Sequence, residues 1–497
     1  MASHALLGGV QPPPPNVRDE TIHLISLAAP MMLNFMMESM YAPISVGLVG
    51  HLGKPDTKPF VDGVTMGCIY MMVTTHAVGL GLGSALDTLA TQAHGAGNYK
   101  KMGVYLESAM LGTALAYIPT AAANWYCQDI LTMCGINTVV ANLAGQFVRY
   151  STFAMPFYFL YDLIRKMLQA HDIVAPMLPM AIVSNGLHVG LGLYLTQVQK
   201  LGYHGVLISG GLSHVAYPLM QLAYLTCINP VHHTWKLQWN LRSAIAHLPE
   251  FFEFGLPGMA TMLIENGAFG ILGFMAGELP HSLLLIAVNS VLLQTITTAF
   301  IMYIGFSVAT TVRMGNAIGA NQLDHARCIM RVSLVVTTLC LALTTGGLFL
   351  WRHDVPSLYV NDAQVCDRAA TALVFVLPLH ASDSFNAVWQ AMLQAVGKPS
   401  HAAYVNAVAY YIIGLPLAGF LAFSLHWSLE GLWAGLTIGS FCACGAYTVI
   451  MARLSWREVL EEANARTADD GDTKMTTSWT APPLATDGCE TPIVLYT

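Results

Sequence analysis

The chain has 497 residues, of which only 10% are charged and 55% hydrophobic, with a formal net charge of −7. Its mean hydropathy is +0.54. A soluble domain averages about 25% charged residues, so a soluble globular protein is excluded. No basic cluster of the kind that binds nucleic acid is present.

Apolar blocks recur along almost the whole chain, each long enough to cross a ~30 Å hydrocarbon core as a helix. The pattern predicts twelve spans, at 24–50, 60–92, 102–126, 140–164, 173–197, 203–228, 247–277, 282–312, 327–351, 368–396, 402–426 and 430–453. Residues 1–22 precede them. The N-terminus has no basic n-region or cleavage site, which argues against a cleaved signal peptide. The Pro12–Pro15 run reads as extended. Residues 229–246, with His232, His233, Lys236 and Arg242, read as a linker between two halves, 23–228 and 247–453. From Leu454 the composition turns polar. Ser455 to Arg466 reads as a short amphipathic helix, and the remainder of 454–497 as disordered.

Charge placement tests the count. With an inner N-terminus, the segments assigned inside carry fifteen Lys and Arg, including Lys100, Lys101, Arg165, Lys166, Arg313 and Arg331. Those assigned outside carry five: Lys54, Lys58, Lys200, Arg352 and Arg368. The bias fits the positive-inside rule and places both termini on the cytoplasmic side. Arg149 falls within the fourth span without an identifiable partner. The ten cysteines show no metal-ligand spacing. Cys127 and Cys134 flank a short outer loop, where a disulfide is an open alternative.

The halves repeat one another at a nearly constant offset. Pro30 and Glu38 match Pro257 and Glu265 at 227. Gly81, Ala85, Ala93, Gly95 and Ala96 match Gly305, Ala309, Ala317, Gly319 and Ala320 at 224. Met167–Ala170 matches Met392–Ala395 at 225, and Gly205 matches Gly431 at 226. Six helices per repeat give both halves the same orientation. The expected fold is therefore an all-α integral membrane protein, two six-helix bundles related by a pseudo-twofold axis along the membrane normal. Such pairs hold substrate near the midplane and alternate access by rocking.

The stretch from Gly81 to Asn98, GLGSALDTLATQAHGAGN, resembles the second-helix signature of the multidrug and toxic compound extrusion (MATE) family, eukaryotic branch. Val49–Gly53, Leu256–Pro257 with Leu263–Glu265, and Arg313–Ala320 resemble that family's first-, seventh- and eighth-helix motifs. The similarity spans roughly 22–453. It implies a two-lobed exporter of organic cations or other amphipathic compounds, driven by inward proton flow, with no cofactor. It places coupling acids on the seventh and tenth helices, at Glu265 and Asp383. Glu38 departs from the family pattern, which has an uncharged residue there.

The residues support these assignments independently. A mid-helix carboxylate costs about 2.5–3.5 kcal/mol on insertion scales, so an intramembrane acid marks a functional site by default. Glu265 lies eight residues after Pro257, well inside its span. A proton and an organic cation would compete for it, which is the simplest antiport chemistry. Its other reading is an acid permanently protonated or paired. Asp383 has His380 one turn before it, and the two are expected to share a face. Pro378 nearby opens backbone groups to a cavity.

As the repeat mate of Glu265, Glu38 is expected to face the same cavity from the other lobe, or else to bond Asn34 one turn earlier. Gln294 and Asn289 offer hydrogen bonds to substrate or between helices. Asp87, Gln92 and Gly95, with Pro30 and Pro257, read as structural signature positions. His76 reads as a core histidine. Tyr158, Tyr161, Trp389, Tyr410 and Tyr411 would suit flat cations if they line a cavity, and helix packing otherwise. The 26 methionines suit a tolerant pocket or plain packing.

Competing readings are a sodium-coupled exporter and a flippase for lipid-linked substrates. From other classes, a channel or an intramembrane enzyme is disfavoured. No His-x-x-x-His run, Gly-x-Ser-x-Gly elbow or phosphate-binding loop appears. The expected setting is the plasma membrane or a vacuolar-type organelle membrane, with a monomer as the functional unit.

Overall fold

A computed structural model describes residues 16–52, 57–237, 239–280 and 282–468. Gly53, Lys54, the Pro12–Pro15 run and the polar tail beyond 468 lie outside the described residues.

Among the described residues, twelve long helical rods follow one another. They are α1 (Val17–Ser39, continued by Tyr41–Gly50), α2 (Lys58–Gly95), α3 (Tyr99–Trp125), α4 (Thr138–Ala170), α5 (Met177–Val198) and α6 (Tyr203–Cys227). Then follow α7 (Leu248–Gly277), α8 (Ser282–Gly319), α9 (Leu323–Leu350), α10 (Ala363–Ala395), α11 (Pro399–Ser424) and α12 (Ser428–Ala452). A further helix, α13 (Trp456–Thr467), is short and amphipathic. Among the described residues, nine rods hold a stretch long and apolar enough to cross a membrane. The other three are α1, α3 and α4; Glu38 of α1 and Arg165 of α4 pair with each other inside the bundle.

Several boundaries follow from capping. α1 starts at Val17, earlier than its apolar pattern suggests, because the Asn16 side chain accepts from the Arg18 N–H. α4 runs on to Ala170, past the expected end at 164. Arg165 and Lys166, assigned above to an inner segment, therefore sit inside a helix. Both are largely buried and held by carboxylates.

The inter-lobe segment is docked rather than loose. Trp235 is buried, and its indole N–H donates to His171 Nε2 at 2.9 Å. Glu107 accepts from the Trp239 and Asn240 N–H groups at 2.8 and 3.3 Å. We call this end of the bundle the linker face. Cys127 is buried and Cys134 exposed, and both thiols are free, so the disulfide alternative is not realised.

Hydrogen bonds between the lobes cluster at the linker face, where α2 and α8 cross. Gln92 Nε2 donates to the Ala395 carbonyl at 2.8 Å, and Asn316 Nδ2 to the Ala170 carbonyl at 3.0 Å. A Cβ on Gly95 would stand 2.1 Å from the Asn316 carbonyl oxygen, and one on Gly319 2.1 Å from that of Gln92. The backbones touch because neither position has a side chain. Farther in, Gly81 packs on Met259 and Gly305 on Met32, again as repeat mates.

Candidate functional site: two acids inside the C-terminal lobe

Glu265 projects from the middle of α7. Its Oε1 accepts from Gln390 Nε2 of α10 at 2.8 Å and from Asn406 Nδ2 of α11 at 2.7 Å. The Tyr447 hydroxyl of α12 donates to Asn406 Oδ1 at 2.6 Å, fixing that amide so that its N–H groups face the acid. Both direct partners of Glu265 are uncharged.

Asp383, on α10, is 9% exposed. Its Oδ1 accepts from the Tyr410 hydroxyl and from Ser440 Oγ, each at 2.7 Å. Ser382 and Asn386 in turn donate to Ser440. Asn406 and Tyr410 flank the start of a π-helical stretch in α11, Ala407–Gly414. One distorted segment therefore touches both acids, the kind of local irregularity found at functional sites. The Ala181–His188 stretch, 226 residues earlier, stays α-helical.

The N-terminal lobe holds Glu38 differently. Arg165 NH1 donates to Glu38 Oε1 and Oε2 at 2.9 and 2.8 Å. Tyr161 and Asn34 donate to Oε1 at 2.8 and 3.0 Å. Arg165 also pairs with Asp162 through NH2. Next along α4, Lys166 bonds both oxygens of Asp87 at 2.8 Å. The Asn34 contact foreseen for Glu38 is present; Arg165 as its partner was missed. The signal lay beside the repeated Met-Leu-Gln-Ala run, which Arg165-Lys166 precedes in one lobe and Gln390-Ala391 in the other.

The remaining residues sort by position. His380 does not join Asp383: its Nε2 lies 3.3 Å from Thr344 Oγ1 and its ring meets Tyr303 edge-on. One turn on a helix sets two side chains near each other, and here α9 and α12 draw them apart. Gln294 is exposed and reaches Thr298 at 3.5 Å. Asn289 is buried, facing Gly273 of α7. Gln92 and Gly95 form the seam, and Asp87 holds Lys166. Pro30 and Pro257 lie inside α1 and α7. Arg149 donates to the Trp125 carbonyl at 3.0 Å and lies over its indole. Tyr158, Tyr161 and Tyr410 are engaged with carboxylates, whereas Tyr411 is partly exposed beside Gly267.

A duplicated twelve-helix bundle, with acids held inside each lobe and a seam at one end, defines a membrane transporter rather than an enzyme. The MatE family model matches residues 30–194 and 257–420. Multidrug and toxin extrusion protein 2 of Mus musculus is 30% identical over 91% of this chain and 78% of its own length. Protein DETOXIFICATION 14 of Arabidopsis thaliana is 28% identical over 91% of this chain and 92% of its own. The crystal structure of the eukaryotic MATE transporter AtDTX14 superposes with a TM-score of 0.85 at 27% identity, covering 91% of this chain and all of that one. The Vibrio cholerae MATE transporter VcmN in its bent form shares the fold, with a TM-score of 0.76 at 15% identity. The chain belongs to the MatE family, in its eukaryotic branch.

Proposed function

We propose that the chain is a secondary active antiporter that exports organic cations or other amphipathic small molecules in exchange for protons, by alternating access between its two lobes. The observation that carries the reading is the setting of Glu265. Its carboxyl lies inside the bundle and is bonded by two neutral amides, Gln390 and Asn406. An intramembrane carboxylate without a counter-charge is costly. A proton or a cationic substrate removes that cost equally well, so each displaces the other. Asp383, one helix away, is the second acid of the site.

The names of the mammalian relatives support a broad range of small exported molecules. The lysine and arginine bias supports a cytoplasmic linker face, and with it cytoplasmic N- and C-terminal ends. In that orientation the seam closes the cytoplasmic end of the bundle in this conformation. The proton gradient is the energy source, with no cofactor. One proton moving down 100 mV releases about 2.3 kcal/mol. The unit of function is a monomer, in the plasma membrane or a vacuolar-type organelle membrane.

The test is uptake of a fluorescent organic cation into proteoliposomes under an imposed pH gradient, with proton flux followed in parallel. Wild type is expected to couple the two fluxes and Glu265→Gln to abolish both. Coupled transport that survives in Glu265→Gln would move the coupling site elsewhere. Wild-type transport driven by sodium and indifferent to the pH gradient would overturn the proton reading.

A further inference from the structure

The two lobes present the same construction twice, with one exchange. Glu38 and Glu265 are repeat mates on the first helix of each half. The residue that bonds each of them from the fourth helix of its half is also a repeat mate. Arg165 stands two residues before Met167-Leu168-Gln169-Ala170, and Gln390 two residues before Met392-Leu393-Gln394-Ala395. Arg165 donates to both oxygens of Glu38, the nearer at 2.8 Å, and Gln390 donates to Glu265 at 2.8 Å. The same geometric slot thus holds a permanent cation in one lobe and a neutral amide in the other.

We propose that the N-terminal lobe contains a second cation site of the same design, kept permanently occupied by its own arginine, so that only the C-terminal copy exchanges protons for substrate. This rests on the antiport reading for the meaning of "exchange", but the occupancy of the Glu38 site stands on geometry alone. A guanidinium cannot be deprotonated in a protein and cannot leave. It therefore does at Glu38 what a proton or a bound organic cation does transiently at Glu265.

The surroundings hold the guanidinium in place. Asp162 takes its other arm, and the rings of Phe35 and Tyr161 lie 4.9 and 5.4 Å from its central carbon. Beyond Asp162 comes the Lys166–Asp87 pair. Charges thus alternate in sign from Glu38 through Arg165, Asp162 and Lys166 to Asp87. Alternation spares each ion a bare low-dielectric environment, and removing one member of such a buried set is strongly unfavourable.

Other titratable groups face Glu38 from each packed helix. Tyr158 and Tyr161 donate to it from α4. Tyr217 of α6 packs at a tilt against Tyr161, with ring centroids 4.4 Å apart. His214 of α6 and His76 of α2 stand behind Tyr158, with ring centroids 5.1 and 6.2 Å away. From α5, His188 meets Tyr41 and Ser45 rather than the carboxylate. Arg165 is the cation in direct contact with Glu38.

The experiment counts protons rather than transport. Purified transporter in nanodiscs is titrated from mildly alkaline to mildly acidic pH, comparing wild type with Glu38→Gln, Arg165→Gln and the double variant. Arg165→Gln installs the residue of the other lobe. It is expected to take up one more proton per molecule than wild type, and the double variant to lose that extra proton. Glu38→Gln alone is expected to match wild type, because the Arg165 guanidinium already engages both Glu38 oxygens. Wild-type titration in folded Arg165→Gln would overturn the proposal. So would a proton missing from Glu38→Gln, a comparison that holds even where Arg165→Gln fails to fold. Glu265→Gln, titrated alongside, reports separately on the antiport site: its failure to remove a proton would undo that reading and leave the Glu38 comparison intact.

Discussion

Gln92 and Asn316 are repeat mates, and each reaches across the lobe boundary to the last residue of the other lobe's fourth helix. Gln92 bonds the Ala395 carbonyl, which ends α10, and Asn316 the Ala170 carbonyl, which ends α4. Carbonyls at a helix C-terminus have no intrahelical partner. Each lobe thus completes the hydrogen bonding of the other, but only while the seam is closed. Replacing both amides by Ala leaves two carbonyls unsatisfied, at about 1–3 kcal/mol each. The closed linker face is expected to lose population, seen as a longer mean distance between spin labels placed on the two lobes there.

Glycine to alanine at the crossing is a sharper probe. A Cβ on Gly319 meets a backbone oxygen at 2.1 Å, whereas one on Gly186 of α5 meets nothing within 4 Å. Overpacking costs about 1–3 kcal/mol, and each 1.4 kcal/mol is tenfold in an equilibrium. Gly319→Ala is expected to cut transport about tenfold or more. Gly186→Ala is expected to leave it near wild type, with both proteins comparably folded.

Tyr410→Phe removes one of the two donors to Asp383 Oδ1 and keeps the ring. Hydrogen bonds to charged groups are worth about 1.5–3 kcal/mol. Transport is expected to fall roughly tenfold to a hundredfold, and Ser440→Ala to act in the same direction. His380→Gln, at a residue bonded toward Thr344 instead, is expected to change the pH profile of transport little. A His380 variant that shifts that profile would restore it as Asp383's relay partner.

His171, in the turn between α4 and α5, reports on the docked inter-lobe segment. Its Nε2 accepts from Trp235, so the neutral ring carries its proton on Nδ1. Burial, reinforced by the nearby His94, pushes the imidazole down to about 4. In the unfolded chain it titrates near about 6.5, so the unfolded state binds more protons between those values. This contribution to stability is complete above about pH 6.5 and is lost as the pH falls toward 4. His171→Gln keeps an acceptor for Trp235 and does not titrate. Thermal unfolding in detergent is expected to show a flatter acid limb for the variant.

Residue patterns carried the architecture well where one physical cause acted alone. Apolar length is dictated by the bilayer, so the twelve rods were legible. Duplication preserved Pro30 and Pro257, Glu38 and Glu265, and the seam glycines, so the two lobes were legible as well. Arg165 and Lys166 were not, because two adjacent cations read as the end of a span. Only the carboxylates of Glu38, Asp162 and Asp87, brought in from three helices, explain how those charges stay inside. Asp383 and His380 failed as a pair for a related reason: helical spacing fixes which side chains are neighbours, while packing helices decide where each one bonds. The π-helical stretch beside Asn406 left no trace in periodicity, since its cause is tertiary.

The glycine crossing has a consequence for how such a molecule arises. Residue 92 meets 319 and residue 95 meets 316, so the contact is its own mirror about the twofold axis. An isologous contact of this kind is what two separate copies of one six-helix chain would make on meeting. Fusion through the inter-lobe segment then lets the copies diverge without rebuilding their shared surface. One half is free to accept a permanent charge beside its acid while the other keeps an amide.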